Sequence, residues 1–283
     1  MHSRQKWCFN ALALFLVIFG AIGFVSAEGE PDIHYVPTPQ YVVNELLEIA
    51  GINKDDIVYD LGCGDGRFVI TAAKKYGARG IGIDIDPQRI RESQTNAMNA
   101  GVFDRVKFIE ADLFKTDFSR ATIVALYLLP QLNLRLRPIF FKELKPGTRI
   151  VSHDFDMDDW TPDIAGGIGK SLYYLWILPA DVAGTWIVKM SSTAGIDHNY
   201  RVQLMQKFQE LMGRAISREE DIEISNLKLK GDAISFFLSE RINQWRVDMY
   251  FKGRVEGNSL SGSVQIEGGP YAGLHTWTAV RSK

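Results

Sequence analysis

Residues 59–68 read YDLGCGDGRF, an apolar run that breaks into glycines at 62, 64 and 66, with an acid at 65, before an amphipathic stretch begins. A strand that turns into a helix in this way presents backbone N–H groups and a helix terminus to a polar ligand. Residue identity argues against two common ligands. Counted from Gly62, a dinucleotide loop G-x-G-x-x-G needs glycine at 67, where this chain has Arg67. A triphosphate loop needs a Lys-Ser or Lys-Thr pair, which the stretch lacks. The Asp65 carboxylate would repel pyrophosphate and suits an ammonium group.

On both sides of the loop, from about 39 to 160, short apolar runs alternate with amphipathic ones. TPQYVVNELLEIAG carries Val42, Val43, Leu46, Leu47 and Ile49 at helical spacing and stops at Gly51. DIVYDLG, GIGIDID, VKFIEAD, ATIVALYL and TRIVSHDF read as strands, and RFVITAAKKYG, DPQRIRESQTNAMNAG and LNLRLRPIFFKELKPG as helices. Near-continuous apolar strands suit a parallel sheet covered on both faces, whose ligands sit beyond the carboxyl ends of the strands. Asp84 ends the second strand, twenty-two residues after Gly62, and its two oxygens suit a ribose diol. Asp112 follows the third strand, where a carboxylate receives an exocyclic amine. Three strand ends thus match an amino-acid end, a ribose and a base, which describes a nucleoside joined to an amino acid.

Near residue 170 the pattern changes. SLYYLWILPA and GTWIVKM read as strands, expected as an antiparallel addition to the same sheet. From Tyr200 onward period-two alternation dominates, with Gly257-Asn258 and Gly268-Gly269 as turn signals. A second, β-rich domain is expected at 183–283, with Trp186, Phe208, Phe236, Trp245, Tyr250, Phe251 and Trp277 in its core.

The N-terminus begins with basic residues, runs uncharged from Cys8 to Ala27 and ends in Val25-Ser26-Ala27. This is the pattern of a cleaved signal peptide over 1–27 or of an uncleaved membrane anchor. Either places the remainder, with a first domain at 28–182, in a membrane-anchored or exported (extracytoplasmic) setting, and an uncleaved segment gives membrane contact. The chain has 283 residues and a net charge of −2, which argues against an extended nucleic-acid footprint, and no nucleic-acid partner is expected. Its two cysteines are Cys8 and Cys63, so a mature chain has one thiol and no internal disulfide. Neither lies at metal-ligand spacing.

VYDLGCGDGRF, GIGIDIDP, FIEADLF and ALYLLP, in this order and spacing, resemble the motifs of class I S-adenosylmethionine-dependent methyltransferases over roughly 35–160. The resemblance implies a Rossmann-like α/β open sheet, here followed by an antiparallel β-rich meander or small barrel, and S-adenosylmethionine as cofactor. It implies that Asp60, Gly62, Cys63, Gly64 and Gly66 support the methionine portion, that Asp84 binds the ribose, and that Asp112 with Leu113 frames adenine. A narrower likeness is to the protein-lysine methyltransferases related to the mitochondrial membrane-associated enzymes that modify the ATP synthase c-subunit and the adenine nucleotide carrier. YVPTP at 35–39, LYLLP at 126–130, and Phe155, Trp160 and Pro162 carry it. It implies a protein acceptor, including a membrane-embedded one, and places Tyr35 and Thr38 over the cofactor. The β-rich tail departs from that family. So does the export pattern, since the cofactor is made in the cytosol, which argues for a cytosol-facing alternative.

Methyl transfer from a sulfonium requires a nucleophile held in line, and no metal. Tyr127, above the expected methyl position, is a candidate for steering the incoming amine. His153 and Asp154 lie at the mouth of the fifth strand as candidate proton acceptors, with loss of the proton to water before attack equally economical. His153 also reads as a hydrogen-bonded or capping histidine.

Overall fold

Helix α1 (Gln40–Ile49) follows Pro39 and buries Val42, Val43, Leu46 and Leu47, the stripe that its spacing sets. The computed structural model describes residues 35–196 and 199–282; the signal peptide or anchor expected at 1–27 lies outside them. Among the described residues no helix is long and apolar enough to cross a membrane.

After α1 the chain alternates β1 (Ile57–Leu61), α2 (Arg67–Tyr76), β2 (Arg79–Asp84), α3 (Pro87–Ala100), β3 (Val106–Glu110), β4 (Ile123–Leu126), α4 (Pro130–Glu143) and β5 (Arg149–His153). Two further strands, β6 (Ile164–Ile168) and β7 (Ser171–Ile177), complete a seven-stranded sheet in the order β3-β2-β1-β4-β5-β7-β6. The five strands β1 to β5 are parallel, and β7 joins β5 antiparallel. One face is covered by α1, α2 and α3, through Leu46, Val69, Ala72 and Ile90 against Val58, Ala125 and Val151. The other is covered by α4, through Leu136 and Phe140 against Leu61, Val124 and Ile150, with Trp160 and Trp176 in the same cluster. This double cover is why the strands read as apolar runs. It also aligns the carboxyl ends of β1, β2, β4 and β5 along one edge.

The remaining strands are β8 (Gly184–Met190), β9 (Tyr200–Lys207), β10 (Glu210–Ser217), β11 (Glu220–Lys230), β12 (Ala233–Ile242), β13 (Trp245–Glu256), β14 (Ser259–Glu267) and β15 (Gly273–Arg281). They close into an eight-stranded antiparallel barrel in which β8 bridges β15 and β9. Its interior is filled with side chains: the Phe236 and Phe251 rings stack 4.5 Å apart, and Trp277 meets both edge-on. Trp277 lies across Gly253, and its indole N–H donates to the carbonyls of Lys252 and Ser263. A Cβ at Gly253 would collide with that ring.

Three expectations are corrected. GTWIVKM is β8 of the barrel rather than a strand of the sheet, because Trp186 and Val188 point into the barrel core and the strand pairs with β9 and β15. The added sheet strand is instead the glycine-containing hairpin partner β6, which the sequence pattern does not announce. Trp245 and Tyr250 are exposed: Met249 and Phe251 face inward, so alternation turns Tyr250 outward, where it meets Phe237 at 4.7 Å. Trp186, Phe236, Phe251 and Trp277 are in the core as expected, whereas Phe208 sits at the junction with the sheet.

Candidate active site

The glycine loop owes its shape to the second strand. Both Gly62 and Cys63 donate their N–H to the Ile83 carbonyl at 2.8 and 2.9 Å. Gly64 donates to Asp84 Oδ2 at 2.8 Å, while Asp84 Oδ1 accepts from the Asp86 N–H at 3.0 Å. Each Asp84 oxygen is thereby oriented and keeps lone-pair capacity for a diol. Gly62, Gly64 and Gly66 all have positive φ, and a Cβ on Gly64 would run into the Tyr35 ring. Tyr35 lies over the loop with the Arg89 guanidinium 4.7 Å from its ring centre. Cys63 is buried, and that burial, with Asp60 and Asp84 nearby, pushes its thiol well up, so it acts as filler behind the loop.

Three carboxylates converge here. Asp60, at the end of β1, is 8% exposed, and burial, followed by the charges of Asp84 and Asp65, pushes its pKa up to about 8. Asp65 differs. Burial raises it, but hydrogen bonds and charge from Arg67 outweigh that and hold it below the usual carboxylate range. Its oxygens accept from Arg67 Nε at 2.9 and 3.1 Å and from Nη2 at 2.6 Å. Arg67 Nη1 also donates to the Thr38 carbonyl at 2.8 Å, so Asp65 and Arg67 tie the 35–39 strap to the loop. Asp60, by contrast, has carboxylates for charged neighbours and no cation to offset them among the described residues. A buried acid with a raised pKa, beside a loop whose glycines hold positive φ, fits an ammonium-bearing ligand.

Farther along the edge, Asp112 Oδ1 accepts the Phe114 N–H at 2.9 Å, and Lys115 lies 3.3 Å from its other oxygen. Leu113 leans on the cluster under α4. These two residues stand where β3 ends beside β2, one strand beyond Asp84.

A second group gathers at the ends of β4 and β5. The Tyr127 ring lies 4.0 Å from that of His153 and 6.1 Å from that of Phe155. His153 is 2% exposed; its Nδ1 is 3.2 Å from the Thr38 hydroxyl and its Nε2 3.0 Å from that of Ser171. Burial lowers its pKa, and the Asp154 carboxylate, 3.4 Å from Nε2, only partly offsets this. The ring is therefore neutral near pH 7, with both nitrogens engaged. Burial and Asp154 together raise Tyr127, keeping its phenol protonated. The strap spans both groups, with Tyr35 on the cofactor loop and Thr38 on His153.

Sequence reasoning missed Ser171, which arrives from β7, and the use of Arg67 as the clasp for Asp65. The i, i+2 spacing of Asp65 and Arg67 at a helix start was the available signal. It also missed how Trp160 is held. Its indole N–H donates to Gln209 Oε1 at 2.8 Å, its carbonyl accepts from Trp176 at 2.7 Å, and its ring contacts Phe141, Trp176 and Phe208.

Residues 60–164 match the family model described as "ANTKMT methyltransferase domain". A protein-lysine N-methyltransferase of Saccharolobus islandicus is 49% identical over 153 residues, covering 52% of this chain and 95% of the relative. The human lysine N-methyltransferase named for the ATP synthase C-subunit is 33% identical over 135 residues, covering 48% of this chain and 57% of the human protein. A crystal structure described as an RNA methyltransferase of Salinibacter ruber with S-adenosyl-L-homocysteine is 51% identical with a TM-score of 0.51, covering 52% of this chain and 96% of that one. About half of the chain is matched in each case, and 95% of the Saccharolobus relative is covered. With a sheet edge whose carboxylates and positive-φ glycine loop fit the cofactor, these likenesses establish the chain as an S-adenosylmethionine-dependent methyltransferase belonging to the protein-lysine N-methyltransferase family.

Proposed function

We propose that the protein methylates the side-chain amine of a lysine in a protein acceptor, presented beside Tyr127 at the ends of β4 and β5. The observation that carries this reading is the cluster of the Tyr127, His153 and Phe155 rings with a carboxylate at its edge. Neutral rings receive the aliphatic stem of a lysine, and Asp154 attracts the cationic amine to the mouth. In this reading Asp60 meets the cofactor's ammonium, Asp84 its ribose, and Asp112 with Leu113 its adenine. Gly62, Cys63, Gly64 and Gly66 support the methionine portion through their backbone, Asp65 acts through Arg67, and Tyr35 and Thr38 close over the top. The cofactor supplies an electrophilic methyl on sulfonium. The chain holds the amine in line and excludes water. Because both His153 nitrogens already bond to hydroxyls, the geometry favours loss of the amine proton to solvent by way of the part-exposed Asp154, with His153 holding Tyr127 and Thr38 in place.

An RNA acceptor is the second reading, favoured by the description of the Salinibacter neighbour. Opposing it, the segment after β5 carries Asp154, Asp156, Asp158 and Asp159, which repel phosphate. Incubating the enzyme with methyl-labelled S-adenosylmethionine and a cell lysate, then separating protein, RNA and organic extract, tests the choice. Label recovered as methyllysine in protein supports the proposal; label confined to RNA or extract overturns it. The apolar stretch at 8–27 supports a tethered or exported placement and a membrane-embedded acceptor, and cofactor supply supports a cytosol-facing one. A reporter fused after residue 34, with the mature N-terminus read by mass spectrometry, decides between them.

A further inference from the structure

The barrel lies outside the matched residues 60–164, yet its β9–β10 hairpin touches the loop that follows β5. The loop between β5 and β6 carries Asp154 and Phe155 next to Tyr127, then runs through Met157, Trp160 and Thr161. Two of its non-glycine residues have left-handed backbones, Asp154 at φ 61° and Asp158 at φ 57°, a conformation that surrounding contacts must sustain. Its near end is anchored within the sheet domain. Ser152 Oγ donates to the Phe155 carbonyl at 2.6 Å, and Arg137 donates to the Met157 carbonyl at 2.8 Å.

Its far end is anchored by the barrel. At the tip of the β9–β10 hairpin, the Gln209 amide accepts the Trp160 indole N–H at 2.8 Å through Oε1 and donates to the Thr161 carbonyl at 2.6 Å through Nε2. Beside it, Phe208, itself at φ 55°, stacks on Trp160 at 5.6 Å, and Lys207 pairs with Asp159 at 3.3 Å. The hairpin is in turn fixed to the chain entering the barrel, because Gln206 accepts from the Val182 N–H at 2.7 Å and donates to the Ala180 carbonyl at 2.8 Å.

We propose that the barrel positions the acceptor-binding loop through its β9–β10 hairpin, with Gln209 as the positioning residue: its amide holds Trp160 and Thr161, the far anchor of the loop whose near end, held by Ser152 and Leu172, carries Phe155 and Asp154 beside Tyr127. This rests on the reading that the acceptor lysine enters at Tyr127. Gln209 touches no reacting atom. Its hydrogen bonds go to the acceptor loop and not to the glycine loop, so its effect falls on the acceptor rather than on the cofactor.

The test uses the full chain and its Gln209→Met and Gln209→Glu variants. Met keeps the volume and removes both hydrogen bonds; Glu still accepts from the indole but cannot donate to the Thr161 carbonyl. Three readouts are taken: amide hydrogen exchange across 155–161, the affinity for S-adenosyl-L-homocysteine by calorimetry, and kcat/KM for methylation of the tripeptide N-acetyl-Ala-Lys-Ala-amide. For Gln209→Met the expected result is exchange at 155–161 at least about tenfold faster and kcat/KM at least about fivefold lower, with the affinity changed less than about twofold; Gln209→Glu falls between. Unchanged exchange with unchanged kcat/KM overturns the proposal, as does an affinity loss parallel to the activity loss. An unsubstituted enzyme that leaves the tripeptide unmethylated counts against the lysine reading alone, and hydrogen exchange then decides whether Gln209 holds the loop.

Discussion

Asp60 shows how burial changes the protonation of an ordinary residue type. With a pKa of about 8 its carboxyl is protonated in the free enzyme at neutral pH, and an ammonium group beside it favours the ionised form. Cofactor binding should therefore release a proton and tighten between about pH 6 and about pH 7.5, by at most roughly tenfold per pH unit. Calorimetry in buffers of different ionisation enthalpy measures this; Asp60→Asn should abolish both effects. The sign for folding is opposite. A carboxyl whose folded pKa is raised from 3.8 contributes stability that is fully present below the unfolded value and is lost as pH rises through about 8. Asp84 gives the complementary test: losing hydrogen bonds to a charged group costs about 1.5–3 kcal/mol each. Asp84→Ala should weaken S-adenosyl-L-homocysteine at least about tenfold while the protein stays folded. Both acids stand out in the sequence as candidate site residues. The sequence also offers Asp65 as a partner for an ammonium group, and only the fold shows Arg67 already holding it.

The elements around the site were legible where local pattern decides them. Parallel strands, the helices between them and the glycine turn follow from apolar runs, 3.6-residue spacing and positive φ, all of which are short-range properties. Gly64→Ala tests the turn, because its φ of +52° and the overlying Tyr35 ring leave no room for a methyl. Its S-adenosyl-L-homocysteine affinity should fall steeply. Gly101→Ala, at φ +71° with nothing within 4 Å of the added carbon, should cost about 1 kcal/mol of stability by thermal melt and leave affinity unchanged. The strap at 35–39 acts at the same scale by joining loop and His153, and Thr38→Val should disturb acceptor kinetics more than cofactor affinity. Strand membership was less legible. β8 looks like any apolar strand, and only its partners β9 and β15 assign it to the barrel.

At the scale of the whole molecule, a sheet with a cofactor edge is joined to a closed barrel through Trp160, Phe208, Gln209 and their neighbours. Trp160 is fully buried at that junction, so Trp160→Ala should destabilise the protein by about 3–5 kcal/mol in denaturant melts, well beyond the loss from exposed Trp245→Ala. The contrast between these two tryptophans also marks the limit of sequence reading. Both are large aromatics in β-rich or loop segments, and their burial is set by chain separated from them by tens of residues. In the proposed function, sheet edge, strap and barrel-held loop all serve one reaction, delivery of a methyl group to a lysine amine. That reaction is read by incubating the full chain with S-adenosylmethionine and the peptide N-acetyl-Ala-Lys-Ala-amide and analysing the product by tandem mass spectrometry. Methyl groups on the lysine nitrogen, absent when the Asp84→Ala variant replaces the enzyme, are expected. An unmodified lysine from an enzyme that still binds S-adenosyl-L-homocysteine, with the methyl group instead transferred to RNA, would contradict it.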